Sequence, residues 1–222
     1  MSNPNETVAS LNLLAAEMSL LKHPFYQQWT AGILSAQRLG NYAIQYYRHV
    51  EAFPRYLSAL HSRCDDLETR QVLLENLIDE ERGAENHPEL WLRFAQALGL
   101  DREKVLAAEP LPAAKALVST FHHLSRDLPL SAGLSALYVY ESQVAKVANV
   151  KIDGLRRFYG FPEDATADGT KFFEIHRNAD PYHAQAVANL IERHDTRLED
   201  RAIALEAGRT ALKAVWDLLD CV

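Results

Sequence analysis

The sequence predicts an all-α protein, and three observations carry that expectation. Apolar residues recur at helical spacing along almost the whole chain, and the β-branched alternation of strands is nearly absent. Helix-breaking signals such as His23-Pro24, Gly32, Gly83, Gly99 and Gly160 separate the periodic stretches by short connections.

The first helix is expected from about Thr7 to Lys22, with Leu11, Leu14, Ala15 and Met18 on one side. His23-Pro24 should break it, because a residue before proline avoids the α region. A short helix through Phe25, Tyr26 and Trp29 then ends near Gly32. Ser35 reads as the N-cap of a long helix that stacks Tyr42, Tyr46, His49 and Phe53 on one face. Pro54 should kink that helix before it continues through Leu57 and Leu60. Asp66 opens another helix carrying Leu73, Leu74, Leu77 and Ile78, which stops near Gly83. Pro88 starts the next in its first turn and Gly99 ends it. Helices follow over Pro112–Arg126, Ser131 to about Tyr159, Asp168–His194 and roughly Arg197–Leu219. Seven or more helices with short connections make an all-α bundle, read as one domain over residues 1–222.

The formal charge of −7 argues against nucleic-acid binding, which needs clustered Lys and Arg. The start, Met1 to Thr7, lacks the pattern of a secretory signal. No apolar run approaches the roughly 20 residues that a membrane span needs. Cys64 and Cys221 lie far apart without Cys-x-x-Cys spacing and read as free thiols of a cytoplasmic protein. No Gly-rich phosphate loop or nucleophile elbow is present.

The chemistry is expected where acids and imidazoles fall on apolar faces. His176, Asp180 and His183 stand at i, i+4 and i+7, and the same face continues through Val187 and Leu190. Burying such groups is costly unless something satisfies them, and a divalent metal does so. Pro181 interrupts this run and weakens its ideal geometry. Glu141 sits in a stripe of Leu134, Leu137, Tyr138, Val144 and Ala148, where the competing reading is a buried salt bridge. Glu80 and His87 form a third element, although periodicity alone does not choose between Glu80 and Glu81. Together Glu80, His87, Glu141, His176, Asp180 and His183 could hold two metal ions, and mixed nitrogen and oxygen ligation suits iron or manganese. No Glu-x-x-His occurs, which argues against a ferritin-like site. The remaining histidines (His23, His49, His61, His122, His123 and His194) read as core-edge or surface residues, with His49 the best placed to support the site.

Several of these segments carry a resemblance. Tyr46-Tyr47-Arg48-His49-Val50, Ala52-Phe53-Pro54-Arg55-Tyr56-Leu57, Asn76-Leu77-Ile78-Asp79-Glu80-Glu81, Asn86-His87, Tyr140-Glu141-Ser142-Gln143 and His176-x3-Asp180-x2-His183 run from near His23-Pro24-Phe25-Tyr26 to the last helix. Through them the chain resembles the family of the Chlamydia protein associating with death domains (CADD), among the heme-oxygenase-like dimetal oxidases. The resemblance implies a heme-oxygenase-like (PqqC/TenA-like) seven-helix bundle whose ligands match the six residues above, with Glu80 favoured over Glu81. It implies two divalent ions, iron and/or manganese, with dioxygen as co-substrate and an external reductant. It further implies a self-sacrificing p-aminobenzoate synthase serving folate biosynthesis. There, by resemblance, Tyr26 supplies the ring, Tyr42 is a second redox tyrosine, Lys151 is implicated as the amino source, and a nearby phenol passes through a tyrosyl radical. The residues themselves agree on one point: Tyr140, Val144, Val147 and Lys151 share a helical stripe, so Lys151 need not face water.

Other readings compete. A dimetal oxygenase acting on an external small molecule would use the same ligands. A thiamin-degrading relative would need a pocket cysteine, and a heme enzyme an early axial histidine. A non-catalytic interaction module would have no need of acids and imidazoles facing its own core. An all-α homodimer is compatible with the sequence.

Overall fold

The structure, a computed structural model, describes residues 5–164, 168–194 and 198–222, with the side chains of residues 5 and 178–181 outside the description. Among the described residues there are ten α-helices, one 3-10 turn and no strand. They form the helical bundle expected.

Helix α1 (Asn5–Glu17) is shorter than the periodicity suggested, and a 3-10 turn over Leu20–Lys22 follows it. The break has a visible cause. The Leu20 N–H donates to Gln143 Oε1 at 2.8 Å, outside the local helix. Helix α2 (Pro24–Thr30) starts on a composite cap, with Pro24 in its first turn and His23 Nδ1 accepting from the Phe25 N–H at 3.0 Å. Gly32, at φ 68°, lets the chain turn out of α2.

Helix α3 (Ala36–Arg63) is capped by Ser35 and continues through Pro54. Helix α4 (Leu67–Glu81) is capped by Asp66, and α5 (His87–Ala97) by Asn86. The short α6 (Arg102–Ala107), capped by Asp101, was not anticipated, since six residues are too few for a periodic signal. Helices α7 (Pro112–Arg126), α8 (Leu130–Phe158), α9 (Asp168–His194) and α10 (Leu198–Asp220) complete the set close to the expected bounds.

Helix α8 packs against both α9 and α10, while α3 packs against α4, α5 and α7. Large aromatic residues dominate the interior, among them Phe25, Tyr26, Trp29, Tyr42, Tyr56, Trp91, Phe121 and Phe173. Helix α4 departs from the expected apolar face. Its buried stripe is Thr69, Leu73, Asn76 and Glu80, whereas Leu74 and Ile78 are 41% and 37% exposed. The inward face of α4 is thus partly polar. His23 and His49 are also buried rather than peripheral. His23 is satisfied by its cap bond and by Asp220 Oδ1 at 3.1 Å, and burial holds His49 neutral. Both cysteines are free thiols, and no described helix is long and apolar enough to cross a membrane.

Candidate metal centre and the adjoining phenol–amine cluster

Glu80, His87 and His176 come together from α4, α5 and α9. One ligand atom from each lies within 4.8 Å of the other two, and all three residues are buried. The turn between α4 and α5 makes this possible. Gly83, at φ 82°, reverses the chain after α4. Asn86 then donates to the Gly83 carbonyl at 2.9 Å and accepts from the Glu89 N–H at 3.0 Å, so His87 begins α5 facing Glu80. Glu80 is buried and Glu81 exposed, which resolves the ambiguity left by periodicity.

His176 Nδ1 lies 2.6 Å from the Phe172 carbonyl. A carbonyl only accepts, so that nitrogen carries the proton and Nε2 keeps its lone pair for a ligand. Burial, with His87 nearby, drives the His176 pKa well down and keeps the ring neutral. His87 Nδ1 lies 2.6 Å from Glu80 Oε2 but is out of line for a hydrogen bond. Burial is the largest single effect and opposes its protonation, yet Glu80 and, more weakly, Asp79 together raise its pKa.

Glu141, on α8, lines the same cavity of about 20 Å³ as Glu80, His176, Tyr140, Val50, Phe53, Val144 and Phe172. Its Oε1 accepts from Asn76 Nδ2 at 2.9 Å, while its buried Oε2 has no hydrogen-bond partner. Burial pushes its pKa up to about 8, with the Asn76 bond opposing and the Glu80 charge adding. A carboxylate this desolvated, with one oxygen unsatisfied beside a second carboxylate and two imidazoles, suits a cation. The donor set therefore fits iron or manganese.

His183, also on α9, is buried but lies outside this trio, its Nε2 3.1 Å from Asp79 Oδ2. The Asp180 side chain lies outside the described residues.

A second cluster adjoins the first. Lys151 is 5% exposed, and its Nζ donates to Tyr42 OH at 2.6 Å. Tyr42 OH is in turn 3.5 Å from Tyr26 OH. Five ring centroids surround Nζ, at 4.9 Å for Phe173, 5.1 Å for Tyr42, 5.4 Å for Tyr46, 5.6 Å for Trp91 and 5.7 Å for Tyr26. Burial lowers the Lys151 pKa to about 7 and raises those of Tyr26 and Tyr42. Near neutrality a substantial fraction of the amine is thus unprotonated and both phenols are intact.

Two aromatic routes join the clusters. Tyr140 on the cavity wall bonds Tyr46 OH to OH at 2.7 Å, and the Tyr46 ring lies 5.0 Å from Tyr42. On the other side His176, Phe172, Trp91 and Tyr42 follow one another at centroid spacings of 4.1, 4.9 and 5.6 Å. Sequence reasoning missed Asn76, Asp79, Tyr46 and Trp91 as participants. Asn76 stands one turn before Glu80, and that spacing was the available signal.

Residues 40–216 match a protein family described as iron-containing redox enzymes. The chain is 45% identical over 212 residues to a 4-aminobenzoate synthase of Chlamydia muridarum, covering 95% of this chain and 87% of that one. It is 44% identical over 210 residues to a 4-aminobenzoate synthase of Nitrosomonas europaea, covering 90% and 84%. A crystal structure from Shewanella denitrificans, a domain with a heme oxygenase-like fold, superposes with a TM-score of 0.82 at 18% identity, covering 100% of this chain and 92% of that one. The match extends over most of the chain and includes the helices that carry Glu80, His87, Glu141 and His176, and the chain belongs to the family of iron-containing redox enzymes.

Proposed function

We propose that this chain makes 4-aminobenzoate from its own Tyr26 side chain, with Lys151 supplying the nitrogen and Tyr42 as the intervening redox phenol. Glu80, His87, Glu141, His176, Asp180 and His183 would hold two ions of iron and/or manganese. Bound there, they supply dioxygen activation, with electrons from an external reductant.

The chain's own residues do the rest. The ring cage holds the Lys151 amine against Tyr42 OH, and burial frees a substantial fraction of it from its proton near neutrality. The Trp29 ring lies 6.4 Å from that of Tyr26. Its indole N–H donates to the Lys151 carbonyl at 3.3 Å, and Gly154 lets it approach α8 closely. The Tyr140–Tyr46 pair links the cavity wall to Tyr42. The names of the similar Chlamydia and Nitrosomonas proteins supply the product.

One observation carries self-consumption over an external substrate. The cavity beside the acids and imidazoles holds about 20 Å³, room for a water-sized molecule. Drug-sized ligands occupy pockets of roughly 300–1,000 Å³. An aromatic ring has no berth there, whereas Tyr26 and Lys151 are already buried in the adjoining cluster.

The test is product analysis with no substrate added. Protein made with ring-labelled tyrosine, loaded with iron and manganese and given reductant and oxygen, should release labelled 4-aminobenzoate, at most one molecule per chain. Unlabelled product, or product only after an external compound is added, would overturn the reading.

A further inference from the structure

We propose that the groove between α3 and α7 is the docking site of an acidic one-electron carrier protein. Electrons from that carrier reach the metal centre along His122, Tyr56, His49 and Tyr140. The inference rests on the reading that the centre works reduced.

The groove opposes the charge of the molecule. The chain carries −7, yet two adjoining cavities of about 410 Å³ each, sharing Arg55, are walled by Arg48, Arg55, Arg63, Lys115 and Arg126, against Glu51 in the wall and Glu109, 3.7 Å from Lys115. Arg48 and Arg63 stand fifteen residues apart on α3, so the trough runs roughly 22 Å at helical rise. Their guanidinium groups are pinned at opposite ends. Arg48 donates to the carbonyls of Val105, Leu106 and Ala108, and Arg63 to those of Ser125 and Leu128. Arg55, Lys115 and Arg126 are exposed between them.

Cations strung out over that length do not converge on a single phosphate. They match an extended acidic surface, and weak electron-transfer encounters use small, charge-steered contacts of this kind. The field of such a patch draws an acidic partner to this face of an otherwise acidic protein.

The second observation is independent of charge. The floor of the groove is His122, whose ring lies 4.9 Å from that of Tyr56. Tyr56 OH reaches His49 Nδ1 at 3.5 Å, and the His49 ring lies 5.0 Å from that of Tyr140 on the metal-site cavity. Four rings in sequence thus join the basic surface to the cavity beside Glu80, Glu141 and His176. Burial, with Arg126 and Arg55 nearby, lowers the His122 pKa to about 4, and burial lowers that of His49 to about 3. The path is therefore uncharged near neutrality and adds nothing to the groove's charge. Each transfer leaves the carrier one electron poorer and one metal ion one electron richer, and no bond forms or breaks.

A reduced [2Fe–2S] ferredoxin of acidic surface serves as the probe. Calorimetry should show it binding the wild-type protein, with or without metal, and affinity should fall as salt rises. The double substitution Arg55→Glu, Arg126→Glu should weaken binding by about tenfold or more. It should slow ferredoxin oxidation in the metal-loaded protein to match, while dithionite-driven product formation stays at the wild-type level. Tyr56→Leu should leave binding intact and slow electron transfer at least about tenfold, and Tyr56→Phe, which keeps the ring, should restore the rate. Equal binding by wild type and the double variant, or no binding by wild type, overturns the docking site. Unchanged transfer in a helical, ferredoxin-binding Tyr56→Leu protein overturns the path. If ferredoxin binds and reduces the centre but no 4-aminobenzoate forms with either reductant, the synthase reading fails and the docking site stands.

Discussion

Replacing Lys151 by Met should stabilise the fold near neutral pH and lose that advantage in alkali. In the unfolded chain the amine keeps its proton up to its ordinary pKa of 10.5, whereas burial lowers the folded value to about 7. Between those values the unfolded state binds more protons than the folded one, so wild-type stability rises with pH across that window. The Met variant has nothing to titrate there. At about 1.36 kcal/mol per unit, stripping the proton costs roughly 4 kcal/mol near pH 7 and under about 1 kcal/mol near pH 10. The faces of the surrounding rings favour the ammonium by on the order of 1–2 kcal/mol, which leaves a pH-dependent difference of at least about 2 kcal/mol. Other titrating groups are common to both proteins and cancel. Urea unfolding of the two proteins at the same metal load, stepped between those pH values, reads this directly. The gap between their midpoints should close by about 1 M urea towards alkaline pH. A gap independent of pH would mean that Lys151 stays charged in the folded protein, and the reasoning about its reactivity would fail.

Three further substitutions probe the support of the site. Glu141→Gln mimics the protonated acid, since burial already raises the pKa to about 8. Metal-free thermal stability should stay within about 1 kcal/mol of wild type while iron retained after loading falls at least about tenfold, read by elemental analysis. Asn76→Ala removes the donor to Glu141 Oε1 and should lower metal affinity by roughly 10- to 100-fold in a competition titration, the size typical of groups that orient ligands. Gly154→Ala places a Cβ 2.5 Å from Trp29 Cδ1 and Nε1. Overpacking there should cost about 1–3 kcal/mol in a melting experiment and reduce product yield more than metal content, because Trp29 packs beside Tyr26 and bonds the Lys151 carbonyl.

The helices were legible because their ends are written in single residues. Ser35, Asp66, Pro88 and Pro112 mark starts, and Gly32, Gly83 and Gly99 mark stops. The early end of α1 was not, because it depends on Gln143, 123 residues away from Leu20. Helix α4 misled for the opposite reason. Its apolar Leu74 and Ile78 face outward while Asn76 and Glu80 face inward, so a rule that sends apolar residues inside points to the wrong face. Glu141 and His176 were readable as an acid and an imidazole on apolar faces, whereas periodicity left Glu80 and Glu81 open and only the resemblance favoured Glu80 with His87. The Lys151 cage was readable only as one face of α8. Its rings come from α2, α3, α5 and α9, and no local spacing announces that convergence.

The central claim is that the protein spends its own Tyr26 and Lys151. Intact mass and peptide mapping after one round of oxygen exposure test it most directly. The account predicts that each equivalent of 4-aminobenzoate released is matched by loss of the side chain at Tyr26 and a change at Lys151. Product formed while both of those peptides keep their original masses would contradict it.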